Sequence, residues 1–408
     1  MSAVTEQAAP RGRLPFYGWV IVAAGFCAQM ISSLSMQGLA TYMTPLRAEF
    51  GWSTGEMALG RSVQTADTLL GPVSGVLVDR FGARMMMVAG TLVYLIAFAI
   101  FAFSSTLWEY YLACLLMGIA NSLLGLLIVS QLINAWFTSR RATAMGYAVA
   151  GFAVSGFVLL PLIVWTQGQF GWRATALGTG IMIVLVGLPV MLMVRSMPEQ
   201  MGLRPFGAKP LDDARGEIRE GLSFSEAVRS RNFWVLTLAM SLASVHQTAL
   251  MVHFFPYIEV IDSRLMAGTI IALVNVFNLG GRLAGGIMGD MMPKGRFLAL
   301  GAVATGTGLM LMSVSSGIVA AAVFAVIFGF SWGSRTAVSS AFSGELFGRK
   351  AFGKIAGLSM TLVTITAIAS PLVVGYLIDI GIAYPLIFAG MMISTLASAW
   401  LFTRLPQK

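Results

Sequence analysis

In the core of a bilayer no water reaches the backbone, so a run of roughly 20 apolar residues has one viable form, the spanning helix. The chain carries twelve such runs in 408 residues, with cores at 19–39, 57–78, 85–103, 110–133, 144–166, 174–194, 233–255, 265–288, 297–314, 318–342, 355–378 and 382–402. Only 11% of residues are charged while 57% are hydrophobic, a balance that a water-facing surface of this size does not tolerate. The run after the polar stretch 1–14 is too long for a signal-peptide core and is expected to be a retained first span. Cys27 and Cys114 both fall inside spans, so neither a disulfide framework nor a metal site is expected.

A charged hairpin interrupts the apolar pattern once in each half. Gly75-Val76-Leu77-Val78-Asp79-Arg80-Phe81-Gly82-Ala83-Arg84 lies between two runs, and Gly286-Ile287-Met288-Gly289-Asp290, followed by Lys294, Gly295 and Arg296, lies between two others. Asp79 and Asp290 stand 211 positions apart, and Phe137 and Phe347, each heading a basic turn, stand 210 apart. The repeat predicts an all-α membrane protein of 12 transmembrane helices in two pseudo-symmetric six-helix bundles.

Charge sets the expected orientation. If both ends lie on one side, that side receives twenty arginines and lysines and the other only Arg47, Arg173 and Arg264, which places both termini in the cytoplasm. The same distribution accounts for the net charge of +9 without a nucleic-acid partner. The expected units are a cytoplasmic tail (1–15), a first bundle (16–196), a cytoplasmic linker (197–231), a second bundle (232–404) and a short tail (405–408). Within the linker, Ser223-Phe224-Ser225-Glu226 fits a capping box and predicts a short helix leading into the seventh span.

The first hairpin resembles the signature between the second and third helices of the major facilitator superfamily. Tyr17-Gly18-Trp19, Gly51-Trp52-Ser53, Gly71-Pro72, the run from Trp136 to Gly156, and His253-Phe254-Phe255-Pro256-Tyr257 narrow the likeness. Together they resemble the monocarboxylate transporter and oxalate-formate antiporter branch. The resemblance implies the major facilitator fold, a monomer that rocks between two access states, and a carboxylate held by an arginine of the eighth span, the position of Arg282. Asn278 stands where the branch typically has an aspartate, Met36 and Gln37 replace a first-span lysine, and Lys354 lies at the start of the eleventh span instead of within it.

Ionisable groups inside spans are functional candidates. Arg61 lies close to an outer boundary and is expected to reach it. Arg282 and Arg335 lie deeper, and the repeat sets them opposite Gly71 and Gly125, which leaves volume for an anion between the halves. His246 and His253, the only histidines, stand seven residues apart on one helical face of the seventh span. Asp67 is the sole deep acid of the first half and mirrors Asn278 at 211 positions. The polar groups Gln29, Ser32, Ser33, Ser35 and Gln37 of the first span are expected to face an interior cavity.

The expected substrate ligands are therefore Arg282, Arg335, His246, His253 and Asn278, and the expected proton carriers are Asp67, His246 and His253. Gly75, Asp79, Arg80, Gly82, Arg84, Gly286, Asp290, Arg140, Arg141, Arg349 and Lys350 form the expected gate, with each aspartate docked on a helix amino terminus of the other half. The function read from these residues is alternating-access transport of small organic anions, monocarboxylates or a dicarboxylate, with a proton or a counter-anion as the coupled species. Anion exchange without a proton and drug efflux in exchange for protons are the alternatives; efflux of cationic drugs calls for buried carboxylates, and here one deep acid faces two deep arginines. No nucleophile constellation or soluble domain points to an enzyme, and no cofactor is expected. The expected location is a bacterial inner membrane.

Overall fold

The computed structural model describes residues 16–65, 71–207, 221–262, 264–315 and 317–407, and the regular structure within them is helical. Asp67, the linker residues 208–220 and Arg11 and Arg13 of the tail lie outside the described residues. Ten described stretches are long and apolar enough to cross a membrane.

The first half contains α1 (Gly18–Gly38), α2 (Met43–Phe50), α3 (Thr54–Thr65), α4 (Gly71–Phe81), α5 (Ala83–Phe103), α6 (Leu107–Leu124), α7 (Leu126–Trp136), α8 (Arg141–Met182) and α9 (Leu188–Met193). The expected second span straddles residues 66–70 between α3 and α4. The fifth and sixth share the stretch from α8 to α9, and Gly171, at φ 79° and ψ 165°, breaks the helical path between them. A side chain would be strained there, so glycine fixes the corner. The fourth span divides at Gly125, whose extended backbone ends α6.

The second half contains α10 (Phe224–Arg229), α11 (Arg231–Ile261), α12 (Arg264–Met291), α13 (Lys294–Val314), α14 (Ile318–Phe347), α15 (Phe352–Asp379) and α16 (Tyr384–Thr403). The capping box ahead of α10 is formed: Ser223 accepts from Glu226 N while its own N–H and hydroxyl donate to Glu226 Oε2. Those bonds, the hydroxyl's first, hold the Glu226 carboxyl below the ordinary carboxylate range. The two described ends of the linker are tied to repeat-related turns. Phe206 bridges to Phe137 and Gly221 to Gly348, and the two turn positions are 211 apart.

One apolar core runs through the helices of the first half, two others fill most of the second, and a small one of Leu127, Phe352 and Ala356 lies between them. Large apolar side chains point outward as well, among them Phe103, Trp108, Val319 and Leu386. In water such a surface would drive aggregation; in lipid it is solvated. The halves meet where α4 packs on α15 and α12 on α8, two contacts related by the repeat. Both lie toward the arginine-rich end of the molecule.

Candidate functional site

The seam between the halves is built from carboxylates placed on helix amino termini. Asp79, at the end of α4, accepts from Gly353 N and Lys354 N of α15, both at 3.2 Å, and from Gln131 Nε2 at 3.1 Å. Asp290, at the end of α12, accepts from Ala142 N at 3.1 Å and from the N–H and hydroxyl of Thr143, both at 2.7 Å. These N–H groups belong to the first turn of each helix, where no intrahelical acceptor exists, and the helix dipole favours an anion there. Lys294 lies 3.5 Å from Asp290 and 2.5 Å from Glu345.

The other expected gate residues sit around these two contacts. Gly75 packs on the Gly353 carbonyl, and a side-chain carbon at Gly286 would stand 2.6 Å from the Ala142 carbonyl oxygen. Gly82, at φ 80°, turns the chain from α4 into α5, and there the Arg84 N–H donates to Ser196 Oγ at 3.3 Å. Arg80 stacks over Phe81, 5.3 Å from its centroid. Arg140 takes the left-handed conformation ahead of α8, and Arg141 Nε donates to the Phe137 carbonyl. Arg349, beside Lys350, makes a two-pronged bond to Glu199 of the linker at 3.0 and 3.1 Å.

The close glycine contacts carry a prediction. Gly75→Ala puts a methyl into the Gly353 carbonyl and Gly146→Ala puts one into the Arg282 carbonyl, so α4 must leave α15 or α8 must leave α12. Overpacking of this kind costs about 1–3 kcal/mol. Each variant is expected to weaken a disulfide cross-link engineered across its own seam while leaving the other seam's cross-link intact; equal cross-linking at both seams would remove the close-packing role.

Above the seam lies a cavity of about 390 Å³ between the halves. The first half lines it with Gly71, Ser74, Asn121, Ser122 and Gly125, so both glycines that the repeat sets opposite the deep arginines border it. From the second half come Ser244, Gln247 and Thr248 of α11, with Thr336, Ser339, Ser340 and Ser343 of α14. Among the described residues lining it, Arg335 is the one charged side chain. Its Nη1 donates to the Ala243 carbonyl at 2.5 Å and its Nη2 to Gln247 Oε1. Those bonds fix the guanidinium against α11 and use two of its five N–H donors.

The structure separates Arg335 from Arg282. The Arg282 guanidinium, 4% exposed, is not among the groups lining the cavity. It donates from Nε to Asn278 Oδ1 at 2.9 Å and from Nη1 across the seam to the Val149 carbonyl at 2.7 Å, and it stacks over Phe152. Asn278 is thus the partner of Arg282 in this conformation.

The two histidines also part. His253 Nε2 donates to the Pro371 carbonyl of α15 at 3.0 Å, whereas His246 is buried with Nδ1 3.0 Å from Thr395 Oγ1 of α16. The polar groups of α1 do not line this cavity: Ser33 donates to the Phe152 carbonyl at 2.7 Å, Ser35 bonds the Tyr94 hydroxyl at 2.8 Å, Gln37 Nε2 donates to Ser33 Oγ at 2.5 Å within α1, and Gln29 and Ser32 are buried. Arg61 donates to the Met36 carbonyl and to Gln64 Oε1. Gln247, Asn121 and the hydroxyl stripe of α14 were not singled out from sequence, although Thr336, Ser339, Ser340 and Ser343 follow an i, i+3, i+4, i+7 pattern that marks one helix face.

A profile described as Major Facilitator Superfamily matches residues 25–371, and the chain belongs to that family. It is similar to monocarboxylate transporter 13 of Bos taurus, 24% identical over 404 residues that cover 96% of this chain and 89% of the relative. Among solved structures it resembles the E. coli fucose:proton symporter, with a TM-score of 0.73 at 14% identity, covering 96% of this chain and all of that one. The human organic anion transporter MFSD10 gives a TM-score of 0.71 at 15% identity, with 95% of this chain and all of that one covered.

Proposed function

We propose that this protein carries small organic anions, with monocarboxylates first, through the membrane by alternating access. The observation behind this reading is Arg335: one fixed guanidinium, alone in charge among the described lining residues, in a cavity whose wall mixes hydroxyls and amides with apolar side chains such as Leu126, Leu236, Met240, Met360 and Val363. A guanidinium takes a carboxylate through two parallel bonds, and the hydroxyls supply further donors without repelling it. The names of the relatives agree with the reading, since monocarboxylate transporters match along most of the chain. No carboxylate is among the described lining residues, which argues against a site for cationic drugs.

The architecture in this proposal is twelve spans in two six-helix bundles, at 16–196 and 232–404, joined by a linker at 197–231. Both termini lie in the cytoplasm, the chain works as a monomer, and the membrane is a bacterial inner membrane. The aspartate seam then closes the cytoplasmic side, and Arg282 with Asn278 helps to hold it by reaching the Val149 carbonyl. When the seam opens, the guanidinium loses that carbonyl and becomes a second anion ligand on the inward side. Anion exchange without a proton remains the second reading because Asn278, at the branch's acidic position, has no proton to give.

Equilibrium binding to the purified protein tests the site. Lactate, pyruvate, formate and oxalate are each added and thermal stability is followed, with tetraphenylphosphonium as the cationic comparison. At least one acid is expected to raise the melting temperature in a saturable way, since a ligand of the folded state stabilises it by mass action. A response to the cation alone would replace the anion reading with the efflux one.

A further inference from the structure

Arg335 borders two cavities. Besides the large one it lines a pocket of about 20 Å³ on its far side, together with His246, Thr305, Ser331 and Ser334. That volume suits a single water with hydroxyl partners. Ala243, His246 and Gln247 occupy positions i, i+3 and i+4 of one face of α11, so the two groups that grip Arg335 flank the histidine.

The hydrogen bonds around the ring favour one imidazole tautomer. Thr395 has one hydroxyl proton, and it serves the Met391 carbonyl at 2.8 Å. With that proton on the Met391 carbonyl, the contact with His246 is a bond in which Nδ1–H donates and Oγ1 accepts, which leaves Nε2 as the basic nitrogen. The helices around the ring bring no other charge among the described residues. From α13 comes Thr305, from α16 Thr395, and from α14 Phe328, Ser331 and Ser334 beside Arg335. On α15, Ser359 and Ser370 bond Thr237 and Thr248 of α11. The deep charge of α12, Arg282, is engaged on the seam with α8.

We infer that His246 takes up a proton when a carboxylate occupies Arg335, so that one proton travels with each anion. The inference rests on the organic-anion reading above and names its coupling group. An imidazolium and a guanidinium repel across so small a pocket, and a bound carboxylate cancels the repulsion. Anion and proton then favour each other's binding by the same factor. In the step itself Nε2 gains a proton drawn from the aqueous side to which the large cavity is open, the ring becomes a cation with both nitrogens donating, and the proton returns to water on the other side together with the anion when the cavity changes sides.

The test uses proteoliposomes and whichever of labelled lactate, pyruvate, formate and oxalate the wild-type protein carries fastest. Wild type is expected to accumulate it about tenfold per unit of imposed pH gradient, the ratio of one-for-one coupling. His246→Gln is expected to lose that accumulation while still exchanging labelled for unlabelled acid faster than protein-free vesicles do. Thr395→Val removes the Nδ1 acceptor and is expected to move the midpoint of pH-dependent anion binding down by about half a unit, and it serves as the second variant if His246→Gln does not assemble. Gradient-driven accumulation in His246→Gln equal to wild type, or wild-type accumulation indifferent to the gradient, would overturn the coupling role alone. Wild-type vesicles that carry none of the four acids would overturn the anion reading and this inference with it.

Discussion

Arg335→Lys is expected to lower uptake of the carried acid about 100-fold while the protein still assembles in the membrane. The ammonium keeps the charge but loses the planar fork that matches a carboxylate, and it is a point charge on a flexible stem. It also abandons one of two partners, because the Ala243 carbonyl and Gln247 Oε1 are gripped by separate nitrogens of the guanidinium. A hydrogen bond to a charged group contributes about 1.5–3 kcal/mol, so loss of the second bond to the anion with its fixed geometry reaches a factor of about 100 at about 2.8 kcal/mol. Initial uptake rates in proteoliposomes against acid concentration give the number. A lysine variant with wild-type rate and half-saturation would remove Arg335 from the anion site and leave it as a clasp between α14 and α11.

Joint replacement of Asp79 and Asp290 by asparagine is expected to open the arginine-rich end. Each aspartate accepts two backbone N–H bonds from the helix facing it, and Asp290 accepts the Thr143 hydroxyl as well. Asparagine offers one carbonyl oxygen and sets an N–H₂ against N–H donors. Hydrogen bonds to a charged group contribute about 1.5–3 kcal/mol each, so even one lost bond per seam shifts the access equilibrium by roughly tenfold or more. A cysteine at Ser343, which lines the cavity, reports the change in a background where Cys27 and Cys114 are replaced. Its labelling by an impermeant reagent from the arginine-rich side is expected to rise at least tenfold. Unchanged labelling and unchanged transport would reduce the hairpins to topology markers.

The seam was legible in the sequence because it obeys the repeat. An aspartate at the end of one helix and a basic turn ahead of another, each recurring after 210 or 211 residues, imply two equivalent dockings before any coordinates are known. The Ser223 cap was equally legible, since its bonds close within four residues. What the sequence hid depends on which neighbour a helix face meets. Arg282 looked like a cavity residue by depth alone, but its Nη1 reaches a carbonyl of α8, 133 positions away. His246 and His253 share a helix face by spacing, yet the crossing of α15 and α16 over α11 gives them different partners. The serine and threonine stripe of α14 was in plain view, but hydroxyls inside spans commonly bond their own helix, as Ser343 and Thr336 also do here, so their presence alone did not point to a cavity.

The central claim, that an anion crosses by way of the cavity holding Arg335, is tested most directly by uptake of the four labelled acids into vesicles containing only this protein. The account predicts saturable, protein-dependent accumulation of at least one acid, competition among unlabelled acids, and no uptake of tetraphenylphosphonium. Accumulation or expulsion of the cation, with the acids moving no faster than in protein-free vesicles, would contradict it.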